Sequence, residues 1–256
     1  MSYAVCCVPL APVRTAPDHR SEMTSQLLFG ECCIITVVEK DGWVKIVNQF
    51  DAYTGWCRRS HFEELDEAQY YSQGTGLTAG WVNEIDYNGH PMHIPFGSSL
   101  TGMQNGYAGW RKNTLHYTGK VWDPVASKHD AKTIRQLAYT FLNTAYLWGG
   151  RSVFGTDCSG FTQSVYKCLN IPLLRDAQQQ ATQGELVGFL QEARCGDLAF
   201  FDDEAGNIIH TGILLNETEI IHAAGKVKVD KIDSAGITDA DTGQRLQRLR
   251  IIKRYL

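Results

Sequence analysis

The most informative part of the chain is residues 146–169, Tyr146-Leu-Trp-Gly-Gly-Arg-Ser-Val-Phe-Gly-Thr-Asp-Cys158-Ser-Gly-Phe-Thr-Gln-Ser-Val-Tyr-Lys-Cys168-Leu169. Cys158 stands where a glycine-rich loop gives way to an apolar-periodic segment, which predicts a helix from Cys158 to Leu169. The N-terminus of a helix carries unpaired N–H groups and a partial positive charge, and both favour a thiolate over a thiol. The thiolate is the nucleophilic form, so Cys158 is the predicted nucleophile. Cys168 lies ten residues further along the same helix and is expected in the core.

Two histidines downstream supply the other parts of a cysteine hydrolase. His210 lies in Ile-Ile-His-Thr-Gly and His222 in Ile-Ile-His-Ala-Ala. We predict that His210 opens one strand and that His222 lies near the middle of the next. If these strands pair as a hairpin across residues 216–218, both imidazoles can lie on one face of the sheet. His210 can then act as the base for Cys158, while His222 holds its other ring nitrogen.

Amide cleavage also needs hydrogen-bond donors for the negative oxygen of the tetrahedral intermediate. The backbone N–H of Cys158 and the hydroxyl of Tyr146 are the expected donors.

The composition excludes several classes of protein. Hydrophobic residues make up 43% of the chain and charged residues 20%, as in ordinary globular proteins. The net charge is −4 and no basic run occurs, so we expect no nucleic-acid partner and no anionic membrane partner. The N-terminal residues lack the basic region and long apolar core of a signal peptide, which favours a cytoplasmic protein. A periplasmic or secreted protein is the alternative if a signal peptide has been removed.

The eight cysteines do not predict a disulfide framework or a metal site. Such frameworks usually belong to much shorter chains, and the spacings contain no C-x-x-C motif. Two adjacent pairs lie in strand-like apolar runs and are expected to be buried thiols. The segment His90-Pro-Met-His93 is predicted to be a polar turn rather than a metal site. No metal and no cofactor is expected.

The N-terminal half is rich in short β-forming runs separated by turns. Over residues 1–62 the predicted strands are 5–8, 32–39, 43–47 and 53–57, with Asp41-Gly42 as a hairpin turn. Over residues 63–122 they are 78–85, 93–97, 100–103 and 116–122. We therefore predict two small β-barrels, one in each segment.

The period of the apolar residues changes after the boundary at residues 123–127. Residues 131–142 show helical spacing, and a weaker helix is expected at 176–184. Strands then return at residues 197–201, 210–215, 219–223, 226–230 and 246–255. Helices followed by strands indicate an α+β domain over residues 123–256.

Five short motifs in this last segment resemble the NlpC/P60 family of papain-like cysteine peptidases. They are Tyr146-x-Trp-Gly-Gly, Asp157-Cys-Ser-Gly, Gly196-Asp-Leu, His210-Thr-Gly and Ile221-His-Ala, in the family's order and spacing. The resemblance covers about residues 125–256. It implies a papain-like α+β domain with a Cys–His–polar triad, carried here by Cys158, His210 and His222. It also implies hydrolysis of bacterial cell-wall peptides, commonly next to D-glutamate.

The N-terminal half resembles bacterial SH3-like modules through Asp41-Gly-Trp-Val-Lys-Ile and Tyr53-Thr-Gly-Trp. Two such modules before an NlpC/P60 domain look like the γ-D-glutamyl-L-diamino acid endopeptidases. That resemblance implies that Glu31, Tyr53 and Asp157 hold the free amine of an N-terminal L-Ala. It also implies that Ser159 and Asp176 hold the substrate backbone and the γ-glutamyl region. Asp176 has the alternative role of capping a helix.

The resemblance therefore predicts an endopeptidase that cuts the γ-D-Glu–L-diamino acid bond of murein peptides and releases L-Ala-D-Glu. Its expected partner is that peptide substrate, and a monomer is expected. The sequence leaves diaminopimelate and lysine open as the diamino acid. Two alternatives are a secreted hydrolase of intact peptidoglycan and a wall-binding protein with a vestigial catalytic domain.

Overall fold

The computed structural model describes residues 1–72 and 76–256 and divides them into two compact units. The first unit comprises residues 1–126 and 148–153, and the second comprises residues 127–147 and 154–256. Among the helices of the described residues, none has both the length and the apolarity needed to cross a membrane.

The first unit begins with a seven-stranded antiparallel sheet, in the order β3-β2-β6-β5-β4-β1-β7. Its strands are β1 (Ser2–Cys6), β2 (Leu10–Arg14), β3 (Met23–Leu28), β4 (Cys32–Val38), β5 (Trp43–Asn48), β6 (Thr54–Arg58) and β7 (Phe62–Glu64). A short 3-10 helix, Arg59–His61, joins β6 to β7. The predicted hairpin turn is confirmed, because β4 pairs with β5 across Asp41-Gly42 and Gly42 has a φ of +85°. The sequence did not predict β2 and β3.

A helix and two smaller sheets complete residues 63–122. They are formed by α1 (Glu67–Tyr71), β8 (Leu77–Thr78), β9 (Val82–Tyr87), β10 (His90–Pro95), β11 (Tyr107–Trp110), β12 (Asn113–His116) and β13 (Val121–Trp122). The larger sheet has the order β10-β9-β12-β11, and β8 pairs with β13. Two predictions are wrong here: residues 100–103 form no strand, and the predicted turn from His90 to His93 lies in β10 instead.

The cores of the first unit link its two segments. The cluster around Ala4, Val13 and Ile46 belongs to the seven-stranded sheet alone. A second cluster packs Val5 and Phe29 from residues 1–62 with apolar side chains of residues 63–122, among them Ile85, Ile94, Trp110 and Leu115. The three-domain division at residues 62 and 122 stays a prediction.

The Trp-Gly-Gly segment is part of the first unit, where β14 (Arg151–Ser152) lies. Gly149 has a φ of +77°, and a Cβ at this position would come within 2.4 Å of the carbonyl oxygen of Met23. Both features require glycine, because a side chain would be strained and would overlap the backbone. Arg151 anchors the same segment by donating to the carbonyl oxygen of Gln26 at 2.6 Å.

The second unit combines three helices with most of the remaining strands. The helices are α2 (Ala131–Tyr139), α3 (Cys158–Lys167) and α4 (Ala177–Gln180), with a 3-10 helix at Leu190–Glu192. The strands are β15 (Gly155–Thr156), β16 (Glu185–Val187), β17 (Leu198–Asp202), β18 (Ile208–Leu214), β19 (Glu219–Ala224), β20 (Lys226–Asp233), β21 (Gly236–Thr238) and β22 (Arg245–Arg254).

The main sheet of this unit has the order β16-β22-β17-β18-β19-β20-β21. Because β21 also pairs with β22, the six strands from β22 to β21 close into a barrel. Its core includes Phe201, Leu214, Ile220 and Ile237. The described residues are mostly β-structure, and the α+β class stays a prediction.

The helices of this unit were predicted with different accuracy. Cys158 begins α3 as expected, and the helix is buried along its whole length. The first predicted helix ends at Tyr139, three residues early, which leaves Leu142 40% exposed. The predicted helix at 176–184 is reduced to the single turn of α4.

Candidate active site

Cys158 is the first residue of α3, and its side chain is buried. Asp157 is the N-cap residue, and its Oδ1 accepts a hydrogen bond from the N–H of Gly160 at 2.7 Å. An aspartate cap satisfies one of the unpaired N–H groups of the first turn and therefore fixes where the helix begins. The backbone N–H of Thr211, the residue that follows His210, lowers the pKa of the Cys158 thiol, so the thiol lies near this part of β18.

The two histidines lie on one face of the sheet, as predicted from the hairpin. β18 and β19 are antiparallel, and Gly212 lies opposite His222. His210 is two residues from Gly212, so its side chain points to the same face as that of His222. The Nε2 atom of His210 lies 2.8 Å from Nδ1 of His222, and both side chains are buried. One detail was wrong: β18 begins at Ile208, so His210 is its third residue.

Burial and hydrogen bonding act in opposite directions on the pKa of the Cys158 thiol. Burial, followed by the neighbouring Asp157 carboxylate, raises the pKa of the Cys158 thiol to about 12. The backbone N–H groups of Thr211 and Ser159 lower this pKa, but they do not outweigh the loss of water. The backbone N–H of Ser159, at the N-terminus of α3, therefore acts in the expected direction, but burial has the larger effect on this pKa.

His210 is also uncharged in the resting state. Burial lowers its pKa well below the ordinary value, and a charge on His222 would lower it further. Both shifts favour the uncharged forms, a thiol at Cys158 and a neutral imidazole at His210. A neutral imidazole has one nitrogen with a free lone pair, which is what a general base requires.

Tyr146, a predicted donor to the negative oxygen of the intermediate, lies near Cys158. Its backbone N–H donates to the carbonyl oxygen of Gly225 at 2.9 Å, beside the turn between β19 and β20. Burial and then the nearby Cys158 raise the pKa of the Tyr146 phenol. The phenol therefore keeps its proton at neutral pH and can donate a hydrogen bond near the sulfur.

Comparison with known proteins finds similar sequences for both parts of the chain. Residues 143–246 match the NlpC/P60 family, and residues 13–62 match the bacterial dipeptidyl-peptidase Sh3 domain. A γ-D-glutamyl-L-lysine dipeptidyl-peptidase from Bacillus subtilis (strain 168) is 30% identical over 216 residues, which are 78% of this chain and 71% of the relative. The chain belongs to the NlpC/P60 family.

Two further relatives agree with the NlpC/P60 assignment. A γ-D-glutamyl-L-lysine dipeptidyl-peptidase from Bacillus cereus is 27% identical over 264 residues, covering 89% of this chain and 76% of the relative. The crystal structure of an NlpC/P60 family protein from Bacillus cereus covers all of both chains with a TM-score of 0.83 at 19% identity, which shows a shared fold. NlpC/P60 membership supports a cysteine peptidase or hydrolase.

Two of the predicted substrate residues of the NlpC/P60 unit form a buried network. Arg175 donates to both carboxylate oxygens of Asp157, at 2.6 and 3.1 Å, and to Oγ of Ser159 at 2.9 Å. All three residues are buried. A bidentate arginine–carboxylate pair is stronger than a single hydrogen bond between the same groups. The network fixes the N-cap of α3, and sequence reasoning did not identify Arg175.

Glu31 and Tyr53 belong to the SH3-like part of the first unit. The Glu31 carboxylate accepts from Nη1 and Nη2 of Arg151, at 2.9 and 3.2 Å, and from the N–H of Leu28 at 3.0 Å. Tyr53 is partly buried and packs against the core of the seven-stranded sheet. The substrate roles of both residues stay predictions.

Asp176 is the N-cap residue of α4 and is half-buried. Its backbone N–H donates to Oε1 of Gln179 at 3.1 Å. The capping alternative therefore describes its place in the fold, and its substrate role stays a prediction.

Asp230 was missed by the sequence analysis. Its Oδ2 lies 2.9 Å from Nε2 of His222, the ring nitrogen that faces away from His210. The signal available in the sequence was an acidic residue within the alternating run Lys226-Val-Lys-Val-Asp-Lys-Ile. Across residues 1–72 and 76–256, no group of three His, Cys, Asp or Glu side chains is arranged to hold a metal ion.

Proposed function

We propose that this protein is a cysteine endopeptidase that hydrolyses the γ-D-Glu–L-diamino acid bond of murein peptides with a free N-terminal L-Ala. The observation that carries the proposal is the 2.8 Å contact between His210 and His222 in the unit that places Cys158 at the start of a helix. Relatives with 27–30% identity named γ-D-glutamyl-L-lysine dipeptidyl-peptidases support the substrate class.

In the proposed reaction, Cys158 is the nucleophile and His210 the general base. The sulfur attacks the carbonyl carbon of the γ-glutamyl amide while the thiol proton passes to His210. Proton transfer during attack suits a thiol whose pKa burial has raised, because no free thiolate must exist beforehand. His222 holds the imidazole of His210 in position and shares the positive charge that develops there.

The tetrahedral intermediate carries its negative charge on the former carbonyl oxygen. We assign the backbone N–H of Cys158 and the hydroxyl of Tyr146 as donors to this oxygen. His210 then returns the proton to the leaving amine of the diamino acid, which leaves L-Ala-D-Glu bound to the sulfur as a thioester. Water, deprotonated by His210, attacks the thioester and releases L-Ala-D-Glu and the thiol.

The remaining parts of the proposal rest on the resemblance. Glu31, Tyr53 and Asp157 are proposed to bind the ammonium group of L-Ala, and Ser159 and Asp176 the γ-glutamyl region. A second SH3-like module over residues 63–122, an α+β catalytic domain and a monomeric state belong to the same proposal.

Mass spectrometry of peptide digests tests the function directly. The substrates are L-Ala-γ-D-Glu-diaminopimelate, the corresponding lysine peptide and their N-acetylated forms. We expect release of L-Ala-D-Glu from the free-amine peptides, and none from the acetylated ones, because a buried ammonium site would reject a neutral cap.

Two variants complete the design. Cys158→Ala should abolish cleavage, whereas Cys195→Ala, a change at a half-buried cysteine of the same unit, should leave it intact. Equal cleavage of free and acetylated peptides would remove the amine requirement. Full activity of Cys158→Ala would refute the catalytic proposal.

A further inference from the structure

A row of buried polar side chains crosses three strands of the catalytic unit. His210 lies on β18, His222 on β19 and Asp230 on β20. Ile220 pairs with Asp230 and His222 with Lys228, so His222, Lys228 and Asp230 share one face of the sheet. The face is otherwise apolar around this row, since Ile220 and its neighbours form the barrel core.

Every oxygen of the Asp230 carboxylate faces hydrogen-bond donors. Its Oδ2 accepts from His222 at 2.9 Å and from Nζ of Lys228 at 3.0 Å. Its Oδ1 accepts from the N–H of Ala240 at 2.9 Å. The side chains of Asp230 and His222 are each 1% exposed, so water does not replace these contacts.

Asp230 is ionised in this setting. Burial raises the pKa of its carboxyl, but the hydrogen bonds from His222, Ala240 and Lys228 together outweigh burial and lower the pKa overall. Lys228 carries the balancing positive charge and also pairs with Asp239. A carboxylate in this state is purely an acceptor, so the facing nitrogen of His222 must carry a proton.

The proton on Nε2 of His222 in turn affects which nitrogen of His210 carries a proton. A neutral His222 with its proton on Nε2 has a lone pair on Nδ1, and that atom lies 2.8 Å from Nε2 of His210. When His222 holds only this one proton, His210 donates from Nε2, which leaves its own lone pair on Nδ1. We infer that Asp230 is the positioning residue that sets the tautomers of both histidines and so makes Nδ1 of His210 the general base.

This inference deepens the proposed function, because it assigns the origin of the base that the reaction uses. It also explains why an aspartate rather than an asparagine is suited to this position. An amide group at residue 230 would point its NH2 either at the N–H of Ala240 or at His222 and Lys228. In the second orientation the amide donates to Nε2 of His222, so the proton of each histidine ring moves to the other nitrogen. Nδ1 of His210 then carries a proton and is no longer a base.

Nuclear magnetic resonance on the wild-type protein tests the tautomers without any substitution at the row. Long-range proton–nitrogen correlation spectra distinguish protonated from unprotonated ring nitrogens, and a His222→Gln variant assigns the His222 signals. We expect Nε2 to carry the proton in both rings at pH 7. A proton on Nδ1 of His222 would overturn the inference.

Alkylation of the nucleophile tests the consequence without any assumption about substrate. The rate at which iodoacetamide modifies Cys158 is followed by peptide mass spectrometry in the wild type and in Asp230→Asn, Asp230→Glu and Asp233→Asn. Asp233→Asn is the matched control, because Asp233 lies on the same strand but pairs with Arg245 at the surface.

We expect Asp230→Asn to slow alkylation of Cys158 by about 10²-fold at pH 7, the lower end of a general-base contribution. Asp230→Glu should recover part of the rate, and Asp233→Asn should match the wild type. Equal rates in wild type and a folded Asp230→Asn would refute the role. The alkylation rates of the variants could follow this expectation while the wild type cleaves no peptide. That result would refute the proposed substrate and leave the tautomer assignment standing.

Discussion

Gly212 lies directly opposite His222 across the β18–β19 ladder, and a Cβ at residue 212 would come within 2.7 Å of the Cβ of His222. It would also come within 2.8 Å of the side chain of Ile220. The absence of a side chain at Gly212 therefore allows the imidazole of His222 to occupy its place beside His210. This makes the glycine of the His-Thr-Gly motif part of the packing that holds the histidine pair.

Gly212→Ala should displace His222 and reduce the rate of peptide cleavage. A shift of about 1 Å at a catalytic group costs up to about 10²-fold, and we expect a loss of kcat of that order. Overpacking of the strand pair should also lower the free energy of unfolding by about 1–3 kcal/mol. Gly188→Ala is the matched control, since a Cβ there would meet nothing closer than 3.7 Å. Unchanged kcat in Gly212→Ala would contradict this account of the motif.

The Arg175–Asp157 pair predicts a stability effect. Arg175→Met keeps most of the side-chain volume but removes the buried guanidinium that pairs with the Asp157 carboxylate, and we expect a loss of about 3–5 kcal/mol in unfolding free energy. Arg245→Met removes a comparable pair whose side chains are 45% and 56% exposed, and it should have little effect. Urea unfolding of the two variants measures the difference. An equal loss of unfolding free energy in Arg175→Met and Arg245→Met would show that burial does not determine the strength of these ion pairs.

Local sequence patterns predicted the parts of the fold that depend on neighbours along the chain. The helix beginning at Cys158 and the hairpin at Asp41-Gly42 each follow from a period or a turn signal within a few residues. The pattern failed where tertiary pairing decides. His90 to His93 has turn-like composition but pairs along its whole length with β9. The helix predicted at 176–184 forms only as α4, and the residues that follow it, 185–187, form β16, which pairs with β22.

The candidate site divides in the same way. The side-by-side placement of His210 and His222 was predictable, because alternation along paired strands brings them to one face. The contact of Asp230 with His222 depends on the register of β20 against β19, which the sequence does not specify. The raised pKa of Cys158 was also unpredictable, since it depends on burial and on the adjacent Asp157 rather than on the helix terminus alone.

The lowered pKa of His210 predicts how stability and activity depend on pH. Below about pH 6.5 the unfolded chain binds a proton at this histidine and the folded chain does not. The lowered pKa therefore costs no stability above that pH. As the pH falls below it, the free energy of unfolding decreases by up to about 1.4 kcal/mol per pH unit. His210→Gln should remove that part of the slope in urea unfolding measured from about pH 7 to 5.

The same shift should extend activity into mild acid. Because His210 stays neutral below its ordinary pKa, the acid limb of the kcat/KM profile should fall below about pH 6.5. A steady-state assay with the free-amine peptide measures the limb. An acid limb above that value would show that His210 titrates normally or that another group controls the reaction.

Glu31 has a structural partner and a proposed substrate role, and a double variant separates the two. Glu31→Gln alone removes the carboxylate that accepts two hydrogen bonds from the buried guanidinium of Arg151, so we expect a loss of about 3–5 kcal/mol in unfolding free energy. Glu31→Gln combined with Arg151→Met removes both charges and should recover most of that stability. If Glu31 binds the ammonium of L-Ala, KM for the free-amine peptide should remain raised by about tenfold or more in the double variant, which corresponds to about 1.4 kcal/mol of binding. Recovery of KM together with stability would show that Glu31 acts only through Arg151.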